Sequence, residues 1–178
     1  MKWFFKCLRQ YADFSGRARR KEYWWFSVIN FIISLVLIIG FITSIYSNID
    51  IQEDVDEFAI LASVLKSPFI YIYLIYYLVM LIPSIAVFVR RLHDIGRSGY
   101  WALLFYGISI LANFASVMLE SNENVLLTLL ILFIMLFATV LFLVWLFTDS
   151  QYGPNQWGPN PKGEGNPEEA TTGEVQLS

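Results

Sequence analysis

The stretch Arg90–Trp101, here called the arginine stretch, holds the residues best suited to chemistry. It combines three arginines, the single histidine and two glycines between long apolar runs. Arginine guanidinium groups bind phosphate through paired hydrogen bonds, and a helix beginning after Ser98 would add N–H groups that attract anions. The residues predicted to contact a phosphate or an anionic lipid headgroup are Arg19, Arg20, Arg90, Arg91, Arg97 and Ser98. A second interpretation stays open, in which these bases only fix the orientation of the chain in a membrane.

His93 and Asp94 are adjacent, but their spacing does not favour catalysis. Neighbouring residues on a helix do not face each other, and Ser98, the local candidate nucleophile, is better explained as a helix N-cap. A zinc site needs three or four convergent ligands, and one histidine with a few carboxylates does not predict one. We therefore predict no enzyme activity, no catalytic residue, no bound metal and no cofactor.

We expect His93 and Asp94 to hold the arginine stretch against other polar segments. The contact would be made through ion pairs with Arg17–Glu22, which lies within Gly16–Trp24 (here called the entry segment), or with Gly153–Pro161 (here called the Gly-Pro-Asn segment). The predicted loop contacts are Gly16, Arg17, Glu22, His93, Asp94, Gly96, Gly99, Trp101, Gly153, Asn155, Gly158 and Pro161. A helix that continues to Asp94 would also place Arg90 and Asp94 four residues apart on one face.

The elements that position these segments are apolar helices. The 178 residues are 57% hydrophobic and 15% charged, whereas soluble domains average about 45–50% and about 25%. We predict an all-α integral membrane protein with transmembrane helices at about 23–46, 68–89, 100–119 and 125–147. Pro83 should kink the second helix, and the carbonyl that it frees needs a partner.

The basic residues are segregated along the chain. Of the twelve Lys and Arg residues, Lys66 alone lies on the side opposite the three polar segments. Basic loops remain in the cytoplasm, so this asymmetry predicts that both termini are cytoplasmic. Because the bases lie beside the spans, orientation explains them and we expect no nucleic-acid binding.

The two ends of the chain carry different signals. Residues 2–12 alternate basic and apolar positions at helical spacing, which predicts a short interfacial helix; the alternative is a flank without stable structure. Residues 1–162 should form one membrane domain. Residues 163–178 are polar and acidic, and we predict a disordered cytoplasmic tail.

The entry segment, the arginine stretch and the Gly-Pro-Asn segment, in this order and with these spans between them, carry a family resemblance. Together they resemble the bacterial "domain of unknown function 805" family, the YhaH-like small inner-membrane proteins. The resemblance covers about residues 1–162, and Arg90–Trp101 is its specific part. It implies a four-helix fold in the bacterial inner membrane and implies no activity. The acidic first loop departs from the pattern by its length.

The sequence favours a membrane scaffold or interaction protein whose basic cytoplasmic face contacts anionic phospholipid or phosphate. Partners would then be membrane lipids, with a homo-oligomer or another membrane protein beside them. The alternative is a subunit of an oligomeric transporter or channel for a small solute. Transport pathways normally place Asp, Glu, Lys, Arg or His inside the spans, and the sequence of the four predicted spans contains none of these residues.

Overall fold

The computed structural model describes residues 2–48, 57–119 and 125–167, and these residues are helical over most of their length. The described helices are α1 Lys2–Arg9, α2 Arg20–Asn48, α3 Glu57–Lys66, α4 Pro68–Asp94, α5 Tyr100–Leu119 and α6 Val125–Phe147. The predicted all-α fold is confirmed. The ranges predicted for the third and fourth spans coincide with α5 and α6, whereas α2 and α4 extend beyond their predicted spans.

Apolar length and composition identify the helices that can cross a membrane. Three described helices are long and apolar enough: Arg20–Ser47, Pro68–Asp94 and Val125–Phe147. Tyr100–Ala115 of α5 forms a shorter apolar helix. In α2 the most apolar window has none of its residues buried inside the chain, so its aliphatic and aromatic side chains face outward. A continuous apolar exterior of this kind requires a lipid environment.

The chain divides into two compact units. The first contains residues up to Ala12 together with Trp24–Ser84, and the second contains Asp13–Tyr23 together with the residues from Ile85 onward. Helices α2 and α4 each contribute to both units.

In the first unit, α1 and α2 meet through aromatic rings. Phe4 stacks on Phe26 with ring centroids 5.5 Å apart, and Cys7 of α1 is fully buried. The hydroxyl of Tyr76 donates a hydrogen bond to the side-chain carbonyl of Asn30, which satisfies two polar groups on apolar helices. Helix α1 covers residues 2–9 of the range 2–12 that was predicted to be helical. Its location at the membrane interface stays a prediction.

Tyr11 supplies the partner that the proline in α4 requires. Pro83 has no N–H, so the carbonyl of Val79 lacks its usual helical donor. The Tyr11 hydroxyl donates to this carbonyl at 2.6 Å. The expectation that a neighbouring element satisfies the freed carbonyl is therefore met, and the donor comes from the segment after α1.

An aromatic cluster forms the core of the second unit. The rings of Phe105 and Phe142 lie 4.4 Å apart, Phe88 lies 5.7 Å from Phe142, and Trp101 meets Trp145 edge-on at 5.1 Å. These contacts join the C-terminal part of α4 to α5 and α6. Along α4, Phe88 of this cluster is followed by the polar residues at the end of the helix.

The chain after α6 folds into consecutive turns. The Gly153 N–H donates to the Glu164 carbonyl at 3.1 Å, and the Asn166 side chain exchanges hydrogen bonds with the backbone of Asn160. Hydrogen-bonded structure thus reaches residues 163–167, the first part of the predicted disordered tail. The remainder of that prediction, residues 168–178, lies outside the described residues.

Candidate functional site

Asp94 is the centre of a buried polar cluster in the second unit. It is the last residue of α4, and its side chain is fully buried. One carboxylate oxygen accepts from Arg17 Nε at 3.1 Å; the other accepts from Arg91 Nη1 at 2.7 Å and from the Ser150 hydroxyl at 2.6 Å. A single carboxylate therefore joins the entry segment, α4 and the chain after α6.

Arg17 extends this junction into the C-terminal turns. Its Nη1 donates to the Gly153 carbonyl at 2.7 Å and contacts the Gly158 carbonyl at 3.4 Å. Its Nη2 donates to the Gln151 carbonyl at 2.6 Å. The Nε group of Arg17 thus bonds to the Asp94 carboxylate, and its Nη groups bond to backbone carbonyls. A buried guanidinium group requires such partners for its N–H donors.

Arg91 binds the end of α6. The last carbonyls of a helix have no intrahelical donor and carry the negative end of the helix dipole. Arg91 Nη2 donates to the carbonyls of Leu146, at 3.3 Å, and of Thr148. The guanidinium group therefore caps α6 while it pairs with Asp94.

Arg90 pairs with the entry segment and not with Asp94. Its Nη1 lies 3.6 Å from a carboxylate oxygen of Glu22, and both side chains are almost completely buried. Arg90 and Asp94 lie four residues apart on α4, but the carboxylate of Asp94 pairs with Arg91, three residues earlier. Consecutive helical residues point in different directions, so Arg90 and Arg91 reach separate carboxylates.

His93 is packed between the entry segment and the Gly-Pro-Asn segment. Its ring stacks on Trp157, with centroids 4.6 Å apart and planes inclined by 8°. Its Nδ1 lies 3.2 Å from the Gly16 carbonyl, and its own backbone carbonyl accepts from the Asn155 side chain at 2.9 Å. The imidazole therefore serves as a flat packing surface with one hydrogen bond.

Gly96 and Gly99 allow the chain to leave α4 and enter α5. Gly96 has φ +76°, and the Arg97 N–H bonds back to the Leu92 carbonyl at 2.9 Å, which is a Schellman ending. A Cβ on Gly99 would lie 2.8 Å from Val89 Cγ1, so the two helices approach too closely for any side chain. Gly96 therefore supplies a backbone conformation and Gly99 supplies space.

The remaining predicted residues lie nearer the surface. Arg19 donates to the Pro161 carbonyl. Arg20 pairs with Asp149 at 2.8 Å, with 41% of its side chain exposed, and donates to the Phe147 carbonyl at 3.1 Å.

Arg97 and Ser98 lie at the start of α5. The exposed Arg97 guanidinium lies 4.8 Å from the ring centroid of Trp145, in a cation–π contact. The Ser98 hydroxyl accepts from the Tyr100 N–H at 3.4 Å, which is an N-cap contact. Trp101, in the first turn of α5, also packs against Trp145.

Burial divides the arginines proposed as anion contacts into two groups. Arg90 and Arg91 are 1% and 0% exposed and pair with the carboxylates of Glu22 and Asp94, so they face the interior. Together with Arg17 they form the buried arginine cluster, whose carboxylates are Glu22 and Asp94. A buried arginine whose donors are directed at protein carbonyls and carboxylates stabilises a junction between segments.

Several residues of this junction were missed by the sequence analysis. Ser150 and Gln151 contribute to it, and the buried Asn160 donates to the carbonyls of Gln151 at 3.3 Å and Glu164 at 3.1 Å. The repeated Gly-Pro-Asn tripeptide was the available signal. Its first asparagine contacts the arginine stretch, and its second organises the turns. Across residues 2–48, 57–119 and 125–167, no group of three or more His, Cys, Asp or Glu side chains is placed to hold a metal ion.

Comparison with known proteins relates the chain to bacterial inner-membrane proteins. "Inner membrane protein YhaI" of Escherichia coli K12 is 36% identical over 106 residues, which cover 60% of this chain and 72% of that protein. "Inner membrane protein YhaH" of the same strain is 38% identical over 105 residues, which cover 59% and 73%. No solved structure matches the chain.

The family described as "Protein of unknown function (DUF805)" matches residues 11–159, a range that includes the entry segment, the arginine stretch and nearly all of the Gly-Pro-Asn segment. This match confirms the resemblance seen in those motifs. The chain therefore belongs to the DUF805 family, whose relatives named above are inner-membrane proteins.

Proposed function

We propose that the protein is a four-span inner-membrane scaffold with both termini in the cytoplasm. It holds the entry segment, the arginine stretch and the turns after α6, together called the cap, against anionic phospholipid headgroups. The 20 residues of α5 are long enough to cross the hydrocarbon core, since a helix rises about 1.5 Å per residue and the core is about 30 Å thick. The distribution of basic residues supports this orientation. The proposed activity is binding and not catalysis.

The observation that carries the proposal is the division of the arginines by burial. Arg17, Arg90 and Arg91 stabilise the cap from inside, while Arg97 is exposed and Arg20 is partly exposed. Arg97 lies over Trp145, and tryptophan is enriched at the headgroup level of membranes. An exposed arginine fixed on an interfacial tryptophan is well placed to meet a lipid phosphate.

Each base near an anionic leaflet contributes about 1 kcal/mol, which is about fivefold in affinity. We therefore expect Arg97→Gln to lower the preference for phosphatidylglycerol over phosphatidylcholine by about fivefold. Native mass spectrometry of the purified protein in mixed lipid would measure that ratio. Arg97→Lys should keep most of the preference, because it keeps the charge.

Lys66→Gln is the matched control. Lys66 is an exposed base at the end of α3, on the side predicted to face away from the cytoplasm. The proposal would be contradicted if Lys66→Gln and Arg97→Gln lowered the preference for phosphatidylglycerol equally, or if the wild type showed no lipid preference. A defined oligomer without lipid preference but with saturable solute flux would favour the transporter or channel alternative. A C-terminal reporter active only outside the membrane would refute the orientation.

A further inference from the structure

An apolar cavity of about 160 Å³ lies within the second unit. Its inner wall consists of Phe88, Phe105, Phe142 and Leu146, of which Phe88, Phe142 and Leu146 are buried. This wall belongs to the aromatic cluster that joins α4, α5 and α6. The cavity therefore lies against one side of this aromatic cluster.

The cavity opens toward the apolar exterior. Its other lining residues include Tyr106, Thr139 and Leu143, which are all exposed on α5 and α6. The neighbouring surface of α6, including Val140 and Val144, is also exposed and aliphatic. A molecule that enters between these residues must come from the hydrocarbon region that surrounds the helices.

A cavity of this size has to be filled to avoid a loss of packing. Protein interiors are close-packed, and atoms that line a void lose their dispersion contacts. An apolar cavity of about 150 Å³ in another protein binds benzene, so a compact hydrocarbon segment fits such a volume. In a bilayer, the abundant apolar group of that size is part of an acyl chain.

A cationic side chain lies next to the same cavity. Tyr23 lines it one helical turn after Arg20, and Leu146 lines it one residue before Phe147, whose carbonyl accepts from Arg20. Arg20 also pairs with Asp149, but both side chains are substantially exposed, at 41% and 53%. Exposed ion pairs contribute little, so a lipid phosphate can share or replace this partner.

We propose that this cavity binds one acyl chain of an anionic phospholipid whose phosphate contacts Arg20. The inference deepens the proposed function, and it rests on that function for the headgroup but not for the chain. The chain is held by aromatic and aliphatic contacts, and the phosphate is held by the guanidinium group. Failure of the headgroup preference would leave the binding of the chain to be tested separately.

Photolabelling with a phosphatidylglycerol that carries a diazirine in its acyl chain tests the site in the unaltered protein. We expect labelling of Tyr106, Phe142 and Leu143 above that of Leu136 and Phe137, which are exposed on α6 outside the cavity. Excess unlabelled phosphatidylglycerol should suppress the first set. Uniform labelling along α6 that does not respond to the competitor would overturn the proposal.

A pair of variants on α6 gives an independent test by native mass spectrometry. Thr139→Phe places a ring at the opening and should lower retained phospholipid by about tenfold, equivalent to about 1.4 kcal/mol. Val140→Phe adds the same ring to the adjacent exposed residue, outside the cavity lining, and should retain lipid like the wild type. Equal retention by both variants would refute the acyl-chain site. Arg20→Gln should change headgroup preference and still retain lipid. A wild type without headgroup preference but with loss of lipid only in Thr139→Phe would refute the proposed function and the contact with Arg20, and would support the acyl-chain site.

Discussion

The hydrogen bond from Tyr11 to Val79 offers the sharpest test of how the first unit is held together. Pro83 removes the N–H that would normally bond the Val79 carbonyl, and the Tyr11 hydroxyl replaces it at 2.6 Å. Tyr11→Phe keeps the ring and deletes only the donor. The carbonyl then remains without a partner on an apolar helix.

The expected cost lies between two known limits. Hydrogen bonds between membrane helices average about 0.6 kcal/mol, whereas a stranded buried acceptor costs about 1–3 kcal/mol. Because Pro83 cannot donate to the Val79 carbonyl, no helical donor can replace the Tyr11 hydroxyl. We therefore expect Tyr11→Phe to lower the free energy of unfolding by about 1–1.5 kcal/mol, or about tenfold in the unfolding equilibrium constant.

A double-mutant cycle measured by denaturant titration in mild detergent isolates this bond. Pro83→Ala restores an N–H to α4, so Tyr11→Phe should cost close to nothing in that background. Tyr77→Phe, at an exposed tyrosine of the same helix, is the control and should have little effect. An identical cost of Tyr11→Phe with and without Pro83, or no cost in either, would refute the reasoning.

Three further predictions concern the cap. Asp94→Asn leaves buried guanidinium groups without their carboxylate and should lower the free energy of unfolding by about 3–5 kcal/mol, while the exposed Asp149→Asn should cost less than about 1 kcal/mol in the same titration. Gly96→Ala should cost about 1–2 kcal/mol because of its positive φ, whereas Gly107→Ala, with open space around it, should stay within about 1 kcal/mol of the wild type by thermal unfolding. The hydrogen bond from Lys162 holds the pKa of Asp149 below its usual 3.8, so this contact stabilises the turns above that pH and is lost as the pH falls through the lowered value. Cleavage of the turns by an acid-active protease should therefore rise at the lowest pH in the wild type but show no such step in Asp149→Asn.

The helices could be predicted closely because their signals are local. Helix α5 begins at the aromatic pair Tyr100-Trp101, directly after Gly99, and α6 coincides with a continuous apolar run from Val125 to Phe147. Gly96 marks the end of α4 for the same reason, since only glycine adopts its backbone conformation without strain. The extension of α2 to Arg20 was missed because basic residues end the apolar pattern without ending the helix.

The partners within the cap were harder to predict because they depend on side-chain direction. Spacing placed Arg90 and Asp94 on one helical face, but donors from three separate chain segments meet at Asp94. Periodicity within one helix says nothing about the other two segments. The burial of Arg91 could not be predicted from the sequence either. A basic residue beside a span usually reports orientation, whereas the interior position of Arg91 depends on Asp94 and on the carbonyls at the end of α6.

The buried arginine cluster has a consequence for how the protein is made. Arg17 is synthesised 77 residues before Asp94 and 136 residues before Gly153, both of which it binds. A nascent chain therefore carries charges destined for the interior long before their partners leave the ribosome. The junction can close only after α6 has been inserted and the turns behind it have emerged. A chain that stops before Gln151 would leave Arg17 without the backbone carbonyls that it binds there and at Gly153.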